Sequence, residues 1–426
     1  MTTELEVDLA SPDTFVPGIP HDFFARKRRE EPVFWHPEQP PRSGFWAVTT
    51  YEHLVTVHKD WETYSSSLGH VGLEELQPDE LEVRRSMLET DPPRHTRLRR
   101  IVSPLFTPRA VAQYEEYARE LARETLDRAL GNAKGEASLA PTEIELDFVE
   151  EIAEPFPINV LIRILGAPPE DASKLVELGD RMIANTDPDI SDLVIDREDT
   201  SAYRLLPFRS PAALELFEYA HDLAAKRRAD PRDDLVSKLV HAEVDGDRLT
   251  ERELDNFFTL VVIAGNETTR QSIAHAVLAL IEHPEQRRLL VSNPSLLPSA
   301  VEEVIRWGTP VIQFRRTATR ATELGGASIS RGDKVVNWYA SANFDEKVFE
   351  DPHRFDVTRQ PNDHVSFGSG GPHFCLGAYL ARMEIRIMLE ELLPRLADVE
   401  LSGPVARIRS NFVNGYKRMP VRLTLA

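Results

Sequence analysis

Near its C-terminal end the chain reads Phe367-Gly-Ser-Gly-Gly-Pro-His-Phe-Cys375-Leu-Gly377. This glycine-rich loop leads directly into a predicted helix. The free amides and the dipole at a helix N-terminus stabilise negative charge, so we expect the sulfur of Cys375 to be held as a thiolate. Glycines also let the backbone approach a flat and bulky group closely. The stretch therefore indicates a cysteine that faces a ligand.

Three other interpretations of this loop are possible. An isolated cysteine is most often a small buried hydrophobe, but the surrounding glycines argue against that here. A phosphate-binding loop needs a following Gly-Lys-Ser/Thr or a G-x-G-x-x-G spacing, and neither is present. A nucleophilic cysteine needs a histidine base, and His373, two residues away on an extended loop, is poorly placed for that role.

Composition excludes several classes of protein. The chain has 426 residues and one cysteine, which excludes a disulfide scaffold, a four-cysteine zinc site and iron–sulfur ligation within one chain. Its 70 acidic against 50 basic residues argue against general nucleic-acid binding. The N-terminal residues 1–15 do not resemble a targeting peptide, and the longest apolar run, 257–264, is too short to span a membrane. We expect a soluble, cytoplasmic monomer.

A second informative segment is a long helix that begins at Thr250. The sequence Thr250-Glu-Arg-Glu253 is a capping box, and the helical pattern continues to His283, where Pro284 ends it. Its middle is apolar almost all round, which predicts burial on most sides. Within it, Ala264-Gly-Asn-Glu-Thr268 places an acid and a hydroxyl in a buried setting. Taken alone, Thr268 could bond the preceding turn while Glu267 lies at the helix edge.

The remaining pattern predicts a mainly α fold with a small β region, organised as one domain over residues 1–426. The strongest further predictions are helices at 111–130, 210–228 and 376–393, a short strand at 44–50, and a strand-rich patch around 311–320 and 327–338. The apolar run 334–340 is itself strand-like.

The cysteine loop resembles the haem-thiolate signature of the cytochrome P450 family, in which the cysteine ligates the haem iron. Cys375 stands one position further from Phe367 than in the family's common form. The longer form is similar to a bacterial branch that oxidises branched lipids, steroid side chains and terpenes. Four motifs occur in the family's order, and the resemblance extends from about Gly18 to Arg422. It implies the cytochrome P450 fold, a single large domain around a buried haem b.

The resemblance assigns roles on the oxygen-binding side of the haem. It implies that Gly265 makes room over the iron, that Thr268 hydrogen-bonds bound dioxygen, and that Glu267 relays protons from solvent. Thr269 is a less suitable substitute for Thr268.

Other residues acquire supporting roles from the same resemblance. Glu303-Val-Ile-Arg306 and Arg354 would form a buried charged triad that holds the cysteine loop. The residues expected around the cofactor, including its two propionates, are His95, Arg99, Arg316, Phe367, His373 and Gly377. For Arg94, Arg97 and Arg100 we expect a solvated basic face that also helps to dock an acidic redox partner.

The implied activity is hydroxylation of an unactivated C–H bond with dioxygen and two electrons from a ferredoxin and its NAD(P)H-dependent reductase. The substrate would be a terpenoid, a steroid or a branched fatty acyl compound. We expect an apolar pocket, with segment 71–76 nearby and 185–208 as a mobile lid; the predicted lining residues are Val261, Val262, Ala264, Val311 and Ile312. A peroxide-driven enzyme, a haem-based sensor or carrier, and a substrate delivered on a carrier protein or coenzyme A stay open as alternatives.

Overall fold

Helices dominate the part of the chain that the structure, a computed structural model, describes: residues 6–131, 143–243, 246 and 248–426. The α-helices found there are α1 (His21–Glu30), α2 (Tyr51–Lys59), α3 (Pro78–Arg84), α4 (Arg94–Val102), α5 (Pro108–Val111), α6 (Glu115–Ala129), α7 (Pro155–Leu165), α8 (Ala172–Ile183), α9 (Ala212–Ala229), α10 (Leu235–His241), α11 (Glu251–Glu282), α12 (Pro284–Ser292), α13 (Leu297–Gly308), α14 (Tyr339–Ala342) and α15 (Ala378–Leu392). The prediction of a mainly α fold is confirmed.

The β structure is small and divided among four sheets. Its strands are β1 (Val33–His36), β2 (Phe45–Val48), β3 (Tyr64–Ser65), β4 (Glu143–Asp147), β5 (Gln313–Ala318), β6 (Thr322–Leu324), β7 (Ala327–Ile329), β8 (Lys334–Trp338), β9 (Leu396–Leu401), β10 (Ala406–Arg407), β11 (Tyr416–Arg418) and β12 (Pro420–Leu425). The largest sheet has the order β1-β2-β8-β5-β3, with β2 parallel to β8 and its other pairs antiparallel. A three-stranded sheet, β4-β12-β9, joins the C-terminus to the middle of the chain; the sequence pattern did not reveal it.

The long helix α11 begins where its sequence predicts. The Thr250 hydroxyl accepts a hydrogen bond from the Glu253 amide, and the Glu253 carboxylate accepts one from the Thr250 amide, which satisfies two otherwise free donors. The helix ends at Glu282, before Pro284 opens α12. Its 32 residues extend over roughly 48 Å and pack against α7, α8, α9 and α13. This contact on several sides explains the nearly continuous apolar sequence in its middle.

Other predicted elements occur with shifted boundaries. The helix predicted at 111–130 is divided into a short turn and α6, and the one at 376–393 begins two residues late, at Ala378. The strand core predicted at 334–340 ends at Trp338, where the chain turns into α14. The strand-rich patch predicted at 327–338 contains two strands, β7 and β8.

Alternate side chains of β8 enter different apolar clusters, as the two-residue period of a strand requires. Val335 packs with Val48 and Leu54 on one face, whereas Val336 packs with Phe45 on the other. A third and larger cluster fills the helical part. Among the described helices, none is both long and apolar enough to cross a membrane.

Candidate active site

The cysteine loop is held in place by its own backbone. The Cys375 amide donates to the Phe367 carbonyl over 2.8 Å. Gly371 has φ +76°, and a Cβ there would lie 2.2 Å from the His58 carbonyl oxygen, so only glycine fits. The loop then enters α15, and the Gly377 amide donates to the Cys375 sulfur. This geometry presents the sulfur in a constant position.

The Cys375 thiol lies in the wall of a cavity, and its accessible surface faces that cavity while protein surrounds it on the other sides. Burial raises its pKa, although the Gly377 amide, Arg99 and Arg382 act in the opposite direction. Burial of the sulfur therefore opposes the thiolate that the start of α15 favours, and the predicted thiolate stays a prediction. A metal cation bound to the sulfur would supply the missing stabilisation of the thiolate.

The cavity lies between the cysteine loop and α11 and has a volume of about 1390 Å³. Ala264, Gly265 and Thr268 form its wall on α11. A Cβ added at Gly265 would lie 3.2 Å from a methyl carbon of Leu161, so this glycine also allows α7 to approach α11 closely. Phe367 and Gly377 line the cavity on the other side, as predicted.

One end of this cavity is cationic and incompletely hydrogen-bonded. The rings of His95 and His373 are tilted by 48° with centroids 4.2 Å apart, and the buried Nε2 atom of each has no partner among the described residues. Burial, with nearby guanidinium groups, lowers the pKa of His95 to about 4 and that of His373 well below its usual value. Both rings are therefore neutral at pH 7.

Arg316 is buried beside these histidines. Among the described residues, its guanidinium donates a hydrogen bond only to the Arg315 carbonyl. Arg99 lines the cavity and has no carboxylate partner among the residues that the structure describes. A buried guanidinium without a counter-charge is costly, which indicates that an anionic group belongs there. The donors present therefore fit the two propionates of a haem.

Two further residues complete this end of the cavity, and sequence reasoning missed both. The Tyr339 hydroxyl and His58 Nε2 lie 2.9 Å apart, and Tyr339 lines the cavity. Burial lowers the pKa of His58 to about 3. No local motif marks either residue, since Tyr339 reads as part of a strand and His58 as one polar position on α2.

Thr268 and Glu267 lie next to each other on α11 but have different surroundings. The Thr268 hydroxyl donates to the Ala264 carbonyl over 2.9 Å, while the residue also lines the cavity. Thr268 therefore bonds the preceding turn and also faces the cavity. The two positions that the sequence suggests for this residue occur together. The neighbouring Thr269 is buried and lines the cavity as well.

Glu267 belongs to a buried cluster of charged groups. It pairs with Arg270, and its other oxygen accepts from Gln271 over 2.8 Å. Arg270 in turn contacts Asp180 at 2.8 Å and Glu154 at 2.7 Å, so three carboxylates share one guanidinium. Burial and the nearby Asp180 charge raise the pKa of Glu267 to about 7 against the pull of Arg270. A group with this pKa can hold or release a proton near neutrality.

The predicted charged triad needs one correction. Glu303 pairs with Arg306 at 2.7 Å, and both are fully buried, as expected. The third member is Arg359, whose Nε lies 3.1 Å from Glu303. Arg354 is 64% exposed and reaches only Asp356, because its neighbour Phe355 takes the inward position in this turn.

Three of the five predicted pocket residues line the cavities. Val261, Ala264 and Val311 do so, but Val262 faces Gly179 on α8 and Ile312 packs in the cluster with Trp338. Both corrections follow from helix and strand geometry, in which adjacent side chains point in different directions.

A smaller cavity of about 790 Å³ adjoins the first and shares Ala264, Thr268 and Val311 with it. Val71 and Phe208, from the predicted flanking segment and lid, line it. The Asn185 amide donates to the Phe208 carbonyl over 2.9 Å, which joins the two ends of the predicted lid. The mobility of this lid stays a prediction.

Comparison with known proteins agrees with this architecture. The family model for cytochrome P450 matches residues 17–401, so the chain belongs to the cytochrome P450 family. It is a monooxygenase of the haem-thiolate type. A methyl-branched lipid omega-hydroxylase of Mycobacterium tuberculosis (strain H37Rv) is 40% identical over 404 residues, which cover 93% of this chain and 90% of the relative.

Two further matches have the same character. A steroid C26-monooxygenase of Rhodococcus jostii is 35% identical over 423 residues, covering 97% of this chain and 84% of the relative. The solved structure of a Mycobacterium marinum cytochrome P450 in complex with pseudoionone has a TM-score of 0.86 and 39% identity, and covers 99% of both chains. The predictions of the family and of the fold are confirmed.

Proposed function

We propose that this chain holds haem b in the larger cavity, within one domain, with the Cys375 sulfur as the iron ligand. The observation that carries this proposal is that a single cavity is lined by the chain's only cysteine, by Arg99 and by two histidines whose buried Nε2 atoms have no partner among the described residues. The buried Arg316 lies close to both histidines. Arg99, Arg316, His95 and His373 would hold the two propionates. Phe367 and Gly377 would form the wall beside the sulfur.

A haem-thiolate group supplies activation of dioxygen. The chain's own residues on α11 would then manage protons. Thr268 places its hydroxyl in the cavity wall, where it can pass a hydrogen bond to a reacting oxygen. Glu267 also lines the adjoining cavity, and its pKa near 7 suits it to take a proton from the charged cluster behind it and release it inward.

The substrate would be a hydrophobic small molecule hydroxylated at an unactivated C–H bond. Both cavities have mostly apolar walls, in which Leu260, Val311 and Phe314 recur, and such walls bind mainly by shape. The names of the relatives, which refer to methyl-branched lipids and steroids, support a branched fatty acyl, steroid or terpenoid substrate.

Electrons would come from a separate ferredoxin and its NAD(P)H-dependent reductase. Helix α4 supports this assignment, since His95 and Arg99 line the cavity while Arg94 and Arg100 are exposed on its other side. Arg94 lies 3.5 Å from Glu82 and 3.6 Å from Glu253, which compensate part of its charge. Exposed arginines next to the cofactor can still steer an acidic partner.

Spectroscopy of the reduced protein with carbon monoxide tests the proposal. The wild type should show the red-shifted band of a thiolate complex, and Cys375→Ser should lose it. A wild type without that band, or a Cys375→Ser variant that keeps it, would contradict the assignment of the iron ligand. Titration of the ferric protein with branched fatty acids, steroids and terpenes, followed as loss of the axial water, then tests the substrate class.

Turnover distinguishes the competing functions. Product formation with a ferredoxin system that greatly exceeds formation with hydrogen peroxide supports the monooxygenase. The opposite ratio would favour a peroxide-driven enzyme, and stable gas binding without any product would favour a sensor or carrier.

A further inference from the structure

The smaller cavity has a polar end within otherwise apolar walls. Arg84, Asn256 and Thr259 all line it and are only 5%, 3% and 3% exposed. Arg84 Nε, Asn256 Oδ1 and Thr259 Oγ1 are buried and have no hydrogen-bond partner among the described residues. Buried polar atoms in native proteins are nearly always satisfied, so three that line one cavity indicate a ligand group.

The fold brings these three residues together firmly. The Asn256 side-chain amide donates to the Arg85 carbonyl over 2.9 Å and to the Val83 carbonyl over 3.4 Å, on either side of Arg84. Thr259 lies one turn further along the same face of α11. Because the amide is anchored in this way, its carbonyl oxygen Oδ1 is the group left available to a ligand.

The same face of α11 leads from this polar end to the proposed reaction site. Asn256, Thr259, Ile263 and Glu267 line the smaller cavity at the three- and four-residue spacing of one helix face. Thr268, next to Glu267, lines it as well. Asn256 precedes Ala264 by eight residues and Thr268 by twelve, which at ~1.5 Å per residue is about 12–18 Å. A substrate held at the polar end would therefore present its opposite end to the reaction site.

The hydrogen-bonding character of the polar end selects the ligand group. Asn256 Oδ1 can only accept, Arg84 Nε can only donate, and the Thr259 hydroxyl can do both. A ligand hydroxyl, which donates and accepts at once, matches this set. The local charge disfavours a carboxylate, since the Arg84 guanidinium is already paired with Glu74 at 2.7 Å and Glu89 also lines the cavity.

We propose that this enzyme selects long hydrophobic alcohols, whose hydroxyl binds Arg84, Asn256 and Thr259 and whose far end is hydroxylated. The inference rests on the proposed function and specifies its substrate class. In the reaction a terminal C–H bond is replaced by C–OH. The second oxygen atom of O₂ leaves as water, with two electrons from the reduced ferredoxin and two protons.

Matched probes test this proposal on the haem-loaded enzyme. The ferric protein is titrated with 1-dodecanol, dodecane and dodecanoic acid, and binding is followed as loss of the axial water. We expect the alcohol to bind about 10-fold tighter than the hydrocarbon, from one to two hydrogen bonds to buried groups, and also tighter than the acid. Equal binding of alcohol and hydrocarbon, absence of binding by all three, or tightest binding of the acid would overturn the proposal.

Thr259→Val is the sharpest variant, because it removes a hydroxyl that has no partner and keeps the shape of the side chain. It should fold normally and lose most of the preference for the alcohol over the hydrocarbon. The matched control, Ile263→Val on the same face, should change the affinity for both probes by a similar factor. An unchanged alcohol preference in Thr259→Val and in Asn256→Leu would overturn the proposal.

Product analysis gives an independent readout. In wild type we expect 1-dodecanol to be hydroxylated mainly at or next to the far end, and in Thr259→Val the position should spread along the chain. Wild-type product spread evenly along the chain would overturn the proposal. The carbon monoxide band of each variant is recorded first, so that a failure of haem binding, which would contradict the proposed function, is distinguished from a failure of alcohol selection.

Discussion

Two buried Glu-x-x-Arg pairs of the same spacing behave differently in this molecule. Glu303 and Arg306 pair on α13, and Glu267 and Arg270 pair on α11. All four side chains are at most 5% exposed. Their difference lies in what surrounds each pair, and it separates a set that stabilises the fold from one that can carry a proton.

The α13 pair has an excess of donors. Glu303 accepts hydrogen bonds from Arg306, Arg359, Asn362 and the Asp356 amide, so two guanidinium groups face one carboxylate. Around Arg270 the carboxylates are in excess, because Glu267, Asp180 and Glu154 all contact its single guanidinium group. Excess donors hold a carboxylate ionised, whereas excess carboxylates make it easier for one of them to take up a proton.

The largest expected effect concerns the α13 set. Arg359→Ala should lower the free energy of unfolding by about 3 kcal/mol, because it removes one partner of a buried ionic group. The matched control, Arg354→Ala at an exposed turn, should stay within about 0.5 kcal/mol of wild type. Urea unfolding and the carbon monoxide band measure both. If Arg354→Ala lowered the free energy of unfolding more than Arg359→Ala, Arg354 would be the third member of the triad, as the sequence predicts.

The next effect concerns proton delivery on α11. Glu267→Gln and Thr268→Ala should each lower product formation by about 100-fold, the lower end of what a positioned proton donor contributes. Oxygen consumption should continue, with reduced oxygen species in place of product. Thr269→Ala should retain most of the product yield. Full product yield from the Glu267→Gln, Thr268→Ala double variant would exclude the relay.

A pH series tests the excess of carboxylates directly. The pKa of Glu267 is raised from 4.5 to about 7 in the folded protein. Its stabilising contribution is therefore complete below pH 4.5 and is lost as the pH rises through about 7. The free energy of unfolding of Glu267→Gln should rise relative to wild type between pH 5 and pH 7.5, as measured by urea unfolding. A pH-independent difference would show that the pKa of Glu267 is not raised.

The smallest expected effect distinguishes the influence of Asp180 on the pKa of Glu267 from that of Glu154. Asp180 raises the pKa of Glu267 through its charge. With Asp180→Asn as the background, the stability difference between Glu267 and Gln should therefore be smaller and level off at a lower pH than in wild type. Glu154→Gln should change the pH dependence of this stability difference less, because Glu154 is 34% exposed and its charge is better screened by solvent. Equal shifts in both backgrounds would contradict the arrangement described for Arg270.

Local patterns were a reliable guide where one segment carries the whole signal. The capping box at Thr250 and the stop at Pro284 located α11, and the glycine loop identified Cys375 as the residue to test. Patterns failed where two segments must meet. The predicted triad contains Arg354 in place of Arg359 because sequence does not show which arginine points inward. Val262 and Ile312 are predicted in the pocket for the same reason.

The sequence by itself determined the family, the long central helix and the place of Cys375 just before α15, because these depend on the order and spacing of residues along the chain. Only the tertiary structure decided how each charge is compensated. The pKa of Glu267 depends on Asp180 and Arg270, the Glu303 set includes Arg359, and the polar end at Asn256 depends on carbonyls near Arg84. Charge compensation acts through space over a few ångströms, between residues such as Arg270 and Glu154 that the chain separates by 116 positions.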